Sequence, residues 1–350
     1  MTGPDLAPDL AVVAIGRNEG ERLKRCLASV AGQAPVVYVD SGSTDGSVAA
    51  ARASGAQVVE LDLSIPFTAA RARNAGRAAL GPGVRWIQFV DGDCAIQPGW
   101  LSVARAALEA DAGLAAVFGR RREVAPDAST YNWLCDVEWA VPPGRQRQFG
   151  GDVLLRADAL DAAGGYPDEM IAGEEPDLSM RLGALDWRIE CLPAEMTLHD
   201  AAMTRFGQWW RRAERSGHAY AELDARHPGE WRRRVRAALF WGAAVPGGAV
   251  ALLLVAALVR SVWPALAAGL LALLPIAQVV RMGLREARRR SLREALTWAL
   301  FLQLDKPPHA IGIARYWWAR LRGRRTALIE YKGTVRSSGL GDRVAGGGAA

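Results

Sequence analysis

Cysteine is scarce in this chain, with four residues in 350. Cys26, Cys94, Cys135 and Cys191 lie far apart and none forms a C-x-x-C pair. That scatter argues against a disulfide framework or a cysteine zinc site and leaves reduced core thiols as the expectation. The opening MTGPDLAPDL has two acidic residues, no basic cluster and no long apolar run. It is therefore expected to carry no secretory signal, which places the first part of the chain in the cytosol. No internal repeat is evident. Charge is absent from residues 237–259 and again from 261–280.

Those two uncharged runs each match the ~20 apolar residues that cross a bilayer as a helix. Arg260 and Ser261 form the short connection between them. Arg232, Arg233, Arg234 and Arg236 flank the first run, and Arg281, Arg285, Arg288, Arg289 and Arg290 flank the second. The net charge of +6 is thus concentrated beside the apolar runs. This favours a membrane surface over nucleic acid as the partner of the basic excess. Both flanks are expected on the cytosolic side, with the hairpin tip facing away. The other reading of these runs is a buried helical hairpin in a soluble protein. Residues 296–304 are too few to span, and with Tyr316-Trp317-Trp318 and nearby arginines they read as a basic interfacial segment.

The first two thirds have a different grammar. Apolar runs at 10–15, 36–39 and 86–90 read as buried strands, and 57–61 reads as a further strand. Helical patterns follow them, with Leu23, Cys26, Leu27 and Val30 at helical spacing and further helices over 68–80 and after Pro98. Alternating strands and helices imply a mainly parallel sheet, whose ligands bind beyond the carboxyl ends of the strands. Arg17-Asn18-Glu19, Asp40-Ser41 and Asp91-Gly92-Asp93 each follow an apparent strand end. From about Ala115 the pattern loosens, with a short run at 153–155, a helix opening at Gly173-Glu174-Glu175-Pro176 and a last strand over 187–192.

Two carboxylates around one small residue at a strand end suit a metal and nucleotide site, because both can face a ligand that the glycine lets come close. Six blocks in order then carry a resemblance. They are Ile15-Gly16-Arg17-Asn18-Glu19, Val39-Asp40-Ser41-Gly42-Ser43-Thr44-Asp45, Ala72-Arg73-Asn74-Ala75-Gly76, Val90-Asp91-Gly92-Asp93, Gly150-Gly151 and Gly173-Glu174-Glu175-Pro176-Asp177-Leu178. Together they resemble the signatures of glycosyltransferase family 2, inverting enzymes of the GT-A fold, over roughly residues 9–215. The apolar hairpin and the Arg315-Tyr316-Trp317-Trp318-Ala319-Arg320 stretch resemble its membrane-bound members, which build bacterial exopolysaccharides or lipid-linked glycans.

The resemblance implies roles. Arg17, Asn18, Glu19 and Asp40 would line the nucleoside pocket, Arg73 would lie near the diphosphate, and Asp91 would approach ribose and metal. Asp93 would hold a divalent metal, Mn2+ or Mg2+, with His199 completing the site. Glu175 stands where the family carries an aspartate as general base, one methylene longer here, with Glu174 as the competing acid. Glu174, Asp177 and Arg211 are placed on the acceptor side, although Asp177 and Arg181 at i, i+4 also suit a structural ion pair. Gln208-Trp209-Trp210-Arg211-Arg212 lacks the final tryptophan of the Gln-x-x-Arg-Trp motif of processive synthases, which argues against polymer extrusion.

The expected architecture is an α/β GT-A domain with a Rossmann-like, mainly parallel sheet, then a two-helix transmembrane hairpin and a basic amphipathic tail. Its expected divisions are an N-terminal tail (1–8), the catalytic domain (9–215), a basic linker (216–236), the hairpin (237–281), the interfacial segment (282–333) and a disordered tail (334–350). The expected activity is metal-dependent, inverting transfer from a nucleotide sugar, UDP-linked by family frequency, to a membrane-proximal or lipid-linked glycan. The enzyme would sit in the cytoplasmic membrane as a multi-pass protein with its catalytic domain in the cytosol. A sugar-phosphate nucleotidyltransferase would need a conspicuous phosphate loop after the first strand, which Gly16-Arg17-Asn18-Glu19-Gly20 does not supply. A degenerate sugar-binding membrane protein is disfavoured by the presence of Asp91, Asp93 and Glu175.

Overall fold

The structure, a computed structural model, describes residues 9–324. The expected tails at 1–8 and 334–350, and the end of the basic segment, lie outside the described residues.

Strands β1 (Leu10–Gly16), β2 (Val36–Asp40), β3 (Gln57–Glu60) and β4 (Trp86–Asp91) alternate with helices α1 (Glu21–Val30), α2 (Ser47–Ala53) and α3 (Ala69–Ala78). The strands pair in parallel in the order β3-β2-β1-β4. β1 is covered on both faces, so both of its side-chain rows are apolar. Helix α1 buries Leu23, Cys26, Leu27 and Val30, the stripe seen in the sequence. Helix α3 lies so close to the sheet that a Cβ on Gly76 would fall 2.2 Å from Val13 Cγ1. That contact sets the height of Arg73, one turn earlier, above the sheet edge.

The second half of the sheet is mixed. It comprises β5 (Cys94–Ile96), β6 (Leu114–Glu123), β7 (Gly144–Gln146), β8 (Val153–Arg156) and β9 (Arg188–His199). Between them come α4 (Trp100–Ala110), α5 (Thr130–Trp139), α6 (Ala157–Ala162) and α7 (Glu174–Ala184). β8 lies antiparallel between β4 and β6, whereas β9 runs parallel to β6 and antiparallel to β5 and β7. The last strand continues beyond 192, where the sequence pattern stops. Pro193 sits where the ladder with β6 jumps from Phe118–Cys191 to Arg120–Glu195, a break that tolerates a residue without an N–H. Beyond it the strand delivers His199 opposite Glu123.

Helix α8 (Phe206–Arg226) runs without interruption across position 215. Helix α9 (Arg232–Leu239), a π-helical turn (Phe240–Ala244), α10 (Val245–Val259) and α11 (Val262–Glu286) follow, then α12 (Leu292–Leu304) and α13 (Lys306–Leu321). Arg232–Val259 and Val262–Glu286 are both long and apolar enough to cross a membrane, and only 6% of each apolar window is buried in the protein. A buried soluble hairpin is therefore not what forms. Leu254, Leu258, Trp263 and Leu270 are all more than 60% exposed, far from the single scattered apolar residues of an ordinary surface.

The segment expected to be interfacial is instead partly docked on the first domain. A Cβ on Gly312 of α13 would lie 2.0 Å from Glu214 O, and one on Gly217 of α8 would lie 2.2 Å from His309 O. The two backbones touch at this crossing, which only glycine permits. Phe301 of α12 packs edge-on against Trp209 and Tyr131. Trp317, Trp318 and Leu321 remain exposed.

Candidate active site

The carboxyl ends of β1 and β4, with the start of α7 and one face of α8, wall a cavity of about 630 Å³. Arg17, Asn18, Glu19, Arg73, Asp91, Glu174 and Glu175 all line it. Its size suits a small-molecule ligand, for which ~300–1,000 Å³ is usual. Glycines set its floor. A Cβ on Gly92 would lie 3.1 Å from Ile15 O, and one on Gly151 would lie 2.6 Å from Asp91 Oδ2 and 2.7 Å from an Arg73 guanidinium nitrogen.

Arg73 is the hub. Its buried guanidinium reaches Glu174 Oε1 at 2.9 Å, Asp91 Oδ1 at 3.0 Å and Glu175 Oε1 at 3.2 Å. It also lies over the Tyr166 ring. Burial alone would favour the neutral form, but three carboxylates reverse that and hold the guanidinium charged. One cation against three acids leaves a carboxylate excess. Burial, followed by repulsion from Glu174, pushes the Glu175 carboxyl up to about 7, with Arg73 opposing the shift. The Glu175 side chain is 17% exposed and that of Glu174 only 4%. Glu175 is thus the better presented acid.

A second network stands behind Asp91. The Asp91 N–H donates to Asp152 Oδ1 at 3.0 Å, and Thr197 Oγ1 donates to Asp152 Oδ2 at 2.7 Å. Arg121 bonds Asp152 and lies 3.5 Å from Asp91 Oδ2. Asp91 is thereby set between two guanidiniums. Neither Arg121 nor Asp152 was singled out from sequence. Asp152 left one signal, a charged residue opening a fully buried strand. Arg121 lies in the run Arg120-Arg121-Arg122, which reads as a solvated surface.

Asp93, Cys94 and His199 form a buried group whose donor atoms could hold a metal ion. Asp93 Oδ2 lies 3.4 Å from His199 Nε2, close to the ~3 Å between neighbouring ligands of an octahedral ion bound at ~2.1 Å. Burial pushes the Cys94 thiol well up, and Asp93 and His199 supply a carboxylate and an imidazole beside it. That donor set fits Mn2+ or Mg2+ better than a thiophilic metal. The far side of His199 faces Glu123, with Oε2 3.6 Å from Nδ1. Glu123 is itself fixed by the N–H of Ala201 and the amide of Asn132.

Five sequence-selected residues do not line the cavity, namely Asp93 and His199 of the buried metal group and Asp40, Asp177 and Arg211. Asp40 is buried outside the cavity wall and accepts from Tyr38 Oη and from the Gly42 and Ser43 N–H groups, so its carboxylate shapes the loop. Asp177 is buried against Arg181 Nε and His227 Nε2, both at 2.8 Å, and does not line the cavity. Arg211 is exposed on α8, whereas Arg212 and Arg215 line the cavity. Adjacent helical residues point ~100° apart, so one position decides which guanidinium enters. Asn18 does face the cavity, with φ 56°, and its Oδ1 accepts the Thr44 N–H. Glu19 pairs with Arg22 at 2.8 Å.

The family described as Glycosyl transferase family 2 matches residues 12–159. No curated protein matches the chain. Among solved structures, the chain is similar to the mannosyltransferase PcManGT from Pyrobaculum calidifontis, in complex with GDP-Man and Mn2+. Identity is 20%, the TM-score is 0.56, and 90% of each chain is covered. It also matches S. aureus TarS 1–349 at 16% identity and a TM-score of 0.48, covering 85% of this chain and 91% of that one. Glucosyl-3-phosphoglycerate synthase from Mycobacterium tuberculosis matches at 20% identity and a TM-score of 0.46, covering 62% and 79%. The first of these likenesses establishes the GT-A fold. The family match runs from β1 to β8, the part of the chain whose strand-end acids gather around the cavity, so over those residues the chain is similar to glycosyltransferase family 2.

Proposed function

We propose that this enzyme transfers a sugar from a nucleotide-sugar donor to a membrane-proximal or lipid-linked glycan acceptor by inverting single displacement. The observation that carries the reading is the meeting of Asp91, Arg73 and Glu175 in one cavity, with Asp93 of the Asp93–His199 pair two residues beyond Asp91. Asp91 and the Arg17–Glu19 turn hold the donor, with UDP the first nucleotide to test. Asp93 and His199 would hold the divalent cation, which would supply neutralising charge to the departing diphosphate. Glu175 accepts the proton of the acceptor hydroxyl as that oxygen bonds to the anomeric carbon. The bond from that carbon to the nucleoside diphosphate breaks in the same step. Arg73 keeps Glu174 and Glu175 oriented and limits their mutual repulsion.

A metal-binding histidine gains when a carboxylate holds its other nitrogen, and loss of such a partner typically costs about 10–100-fold in affinity; Glu123, 3.6 Å from Nδ1 and not hydrogen-bonded to it, stands where a small closure would make that contact. Glu123→Ala is therefore expected to weaken Mn2+ binding by about 10–100-fold. Titration of free Mn2+ by electron paramagnetic resonance measures this, with the unfolding midpoint followed in parallel. Unchanged affinity would leave Glu123 as packing alone.

The exposed apolar hairpin supports membrane anchoring. At ~1.5 Å per residue, α11 with its 25 residues extends about 37 Å, enough for a hydrocarbon core ~30 Å thick. The arginines at both outer flanks favour a cytosolic catalytic domain. The full chain is expected to stay in the membrane pellet through alkaline carbonate washing. Release into the supernatant, or solubility without detergent, would exclude the anchor.

A further inference from the structure

His199 ends β9 with its ring buried. Nε2 lies 3.4 Å from Asp93 Oδ2, while Nδ1 is buried without a hydrogen-bond partner. The outer torsion of a histidine side chain is broad, so an imidazole engaged at one nitrogen is free to swing unless something else stops it. Here the stop is aromatic. The Trp139 ring meets the His199 ring edge to face, with centroids 4.5 Å apart and planes at 70°. Aromatic pairs favour this geometry at ~4.5–7 Å.

The indole is itself well fixed. Trp139 closes α5, and that helix is tied to the segments around His199. The Glu123 N–H donates to Asp136 Oδ1 at 2.9 Å, Asn132 Nδ2 donates to Glu123 Oε1 at 3.2 Å, and the Met203 N–H donates to Asn132 Oδ1 at 2.9 Å. Glu123 is the residue opposite His199 in the β6–β9 ladder. The Arg121 guanidinium sits over the Trp139 ring, 5.4 Å from its centroid, and is itself bonded to Asp152. A cation over an indole face restrains the ring. Trp139 also lines the cavity, which His199 does not. One side chain therefore touches both the cavity and the metal pair.

Resting on the reading of Asp93 and His199 as the metal pair, we infer that Trp139 is a positioning residue for the divalent cation. Its ring holds the imidazole in the plane that turns Nε2 toward Asp93, where the two side chains share an ion. The indole acts through His199 and does not itself ligate. Flatness is what the role requires. An edge-to-face contact favours one ring plane, whereas an aliphatic side chain fills the same space without selecting a plane.

The test uses the purified full chain in detergent, with Mn2+ alone as the probe. Trp139→Phe keeps a flat ring, and Trp139→Leu keeps apolar bulk without one. Affinity is read from the electron paramagnetic resonance of free Mn2+. Ligation is read at saturating metal, from the modulation that a bound imidazole nitrogen imposes on the Mn2+ spin echo. Unfolding midpoints serve as the folding control. The phenylalanine variant is expected to bind within ~3-fold of the wild type and to keep the nitrogen modulation. The leucine variant is expected to bind about 3–10-fold more weakly, the order an aromatic pair is typically worth. It is also expected to lose modulation depth, with a midpoint close to that of the phenylalanine variant. Full modulation in the leucine variant overturns the inference, whatever its affinity. Equal losses in the two variants overturn it too, because they mark Trp139 as packing alone. Wild-type protein that binds no Mn2+, or binds it without nitrogen modulation, would instead remove His199 as a ligand and sink the metal reading on which the inference rests.

Discussion

Replacing Glu175 by glutamine is expected to cut turnover by at least ~10²-fold while donor affinity changes little. A positioned base typically contributes about 10²–10⁴-fold, and glutamine keeps the size and most hydrogen bonds of glutamate without its basic oxygen. Glu174→Gln is expected to be milder on turnover, because its side chain is nearly inaccessible and tied to Arg73. The pH profile gives a second readout. Burial and then Glu174 raise the Glu175 carboxyl to about 7, and a base works only when ionised. Turnover is therefore expected to fall as pH drops through that region. Arg73 opposes the rise, so Arg73→Met is expected to move the inflection to higher pH in whatever activity survives. A merely structural role for Glu175 would lower activity without moving the inflection. If Glu174→Gln were the inactive variant and Glu175→Gln were not, the base would lie one residue upstream.

The second large effect is expected at the metal pair. Asp93→Ala removes the carboxylate facing His199 Nε2, and metal-dependent nucleotide binding and transfer are expected to be lost. Asp93 is buried with Cys94 beside it, so the loss needs a folding control. Asp93→Asn retains the volume and can still hydrogen-bond, but lacks the charge that holds a hard cation. Both variants are expected to lose Mn2+ affinity at least ~10-fold with a native-like far-ultraviolet circular dichroism spectrum. Retained affinity in Asp93→Asn would move the metal elsewhere. His199→Ala is expected to weaken the same affinity less, and an unchanged value would leave His199 structural.

Much of the fold was legible because its first half is local. Each strand from β1 to β3 is a short run followed by a helix that leads to the next strand, and parallel pairing follows from that alternation. The strand-end acids were legible for the same reason, since a parallel sheet sends its carboxyl ends to one edge. The second half was not, because its strands pair across long separations. β8 inserts antiparallel between β4 and β6, and β9 carries Pro193 through a register jump. Pattern reading has no access to such pairings, so Glu123 opposite His199 and Arg121 beside Asp152 stayed hidden. Asp40 and Asp177 were visible as acids, but the backbone and ion-pair partners that occupy them were not. On α8 the sequence pointed to the right helix, while the choice between Arg211 and Arg212 depended on which face turned inward.

The central claim is metal-dependent transfer from a nucleotide sugar at this cavity. It is tested most directly by nucleoside diphosphate release from a panel of UDP- and GDP-sugars, using the purified full chain with membrane lipid extract and Mn2+ or Mg2+. At least one donor is expected to be turned over, release is expected to stop in excess chelator, and Asp93→Ala is expected to be silent with that donor. Turnover that persisted undiminished in excess chelator, or the failure of every donor to bind or react, would contradict the claim.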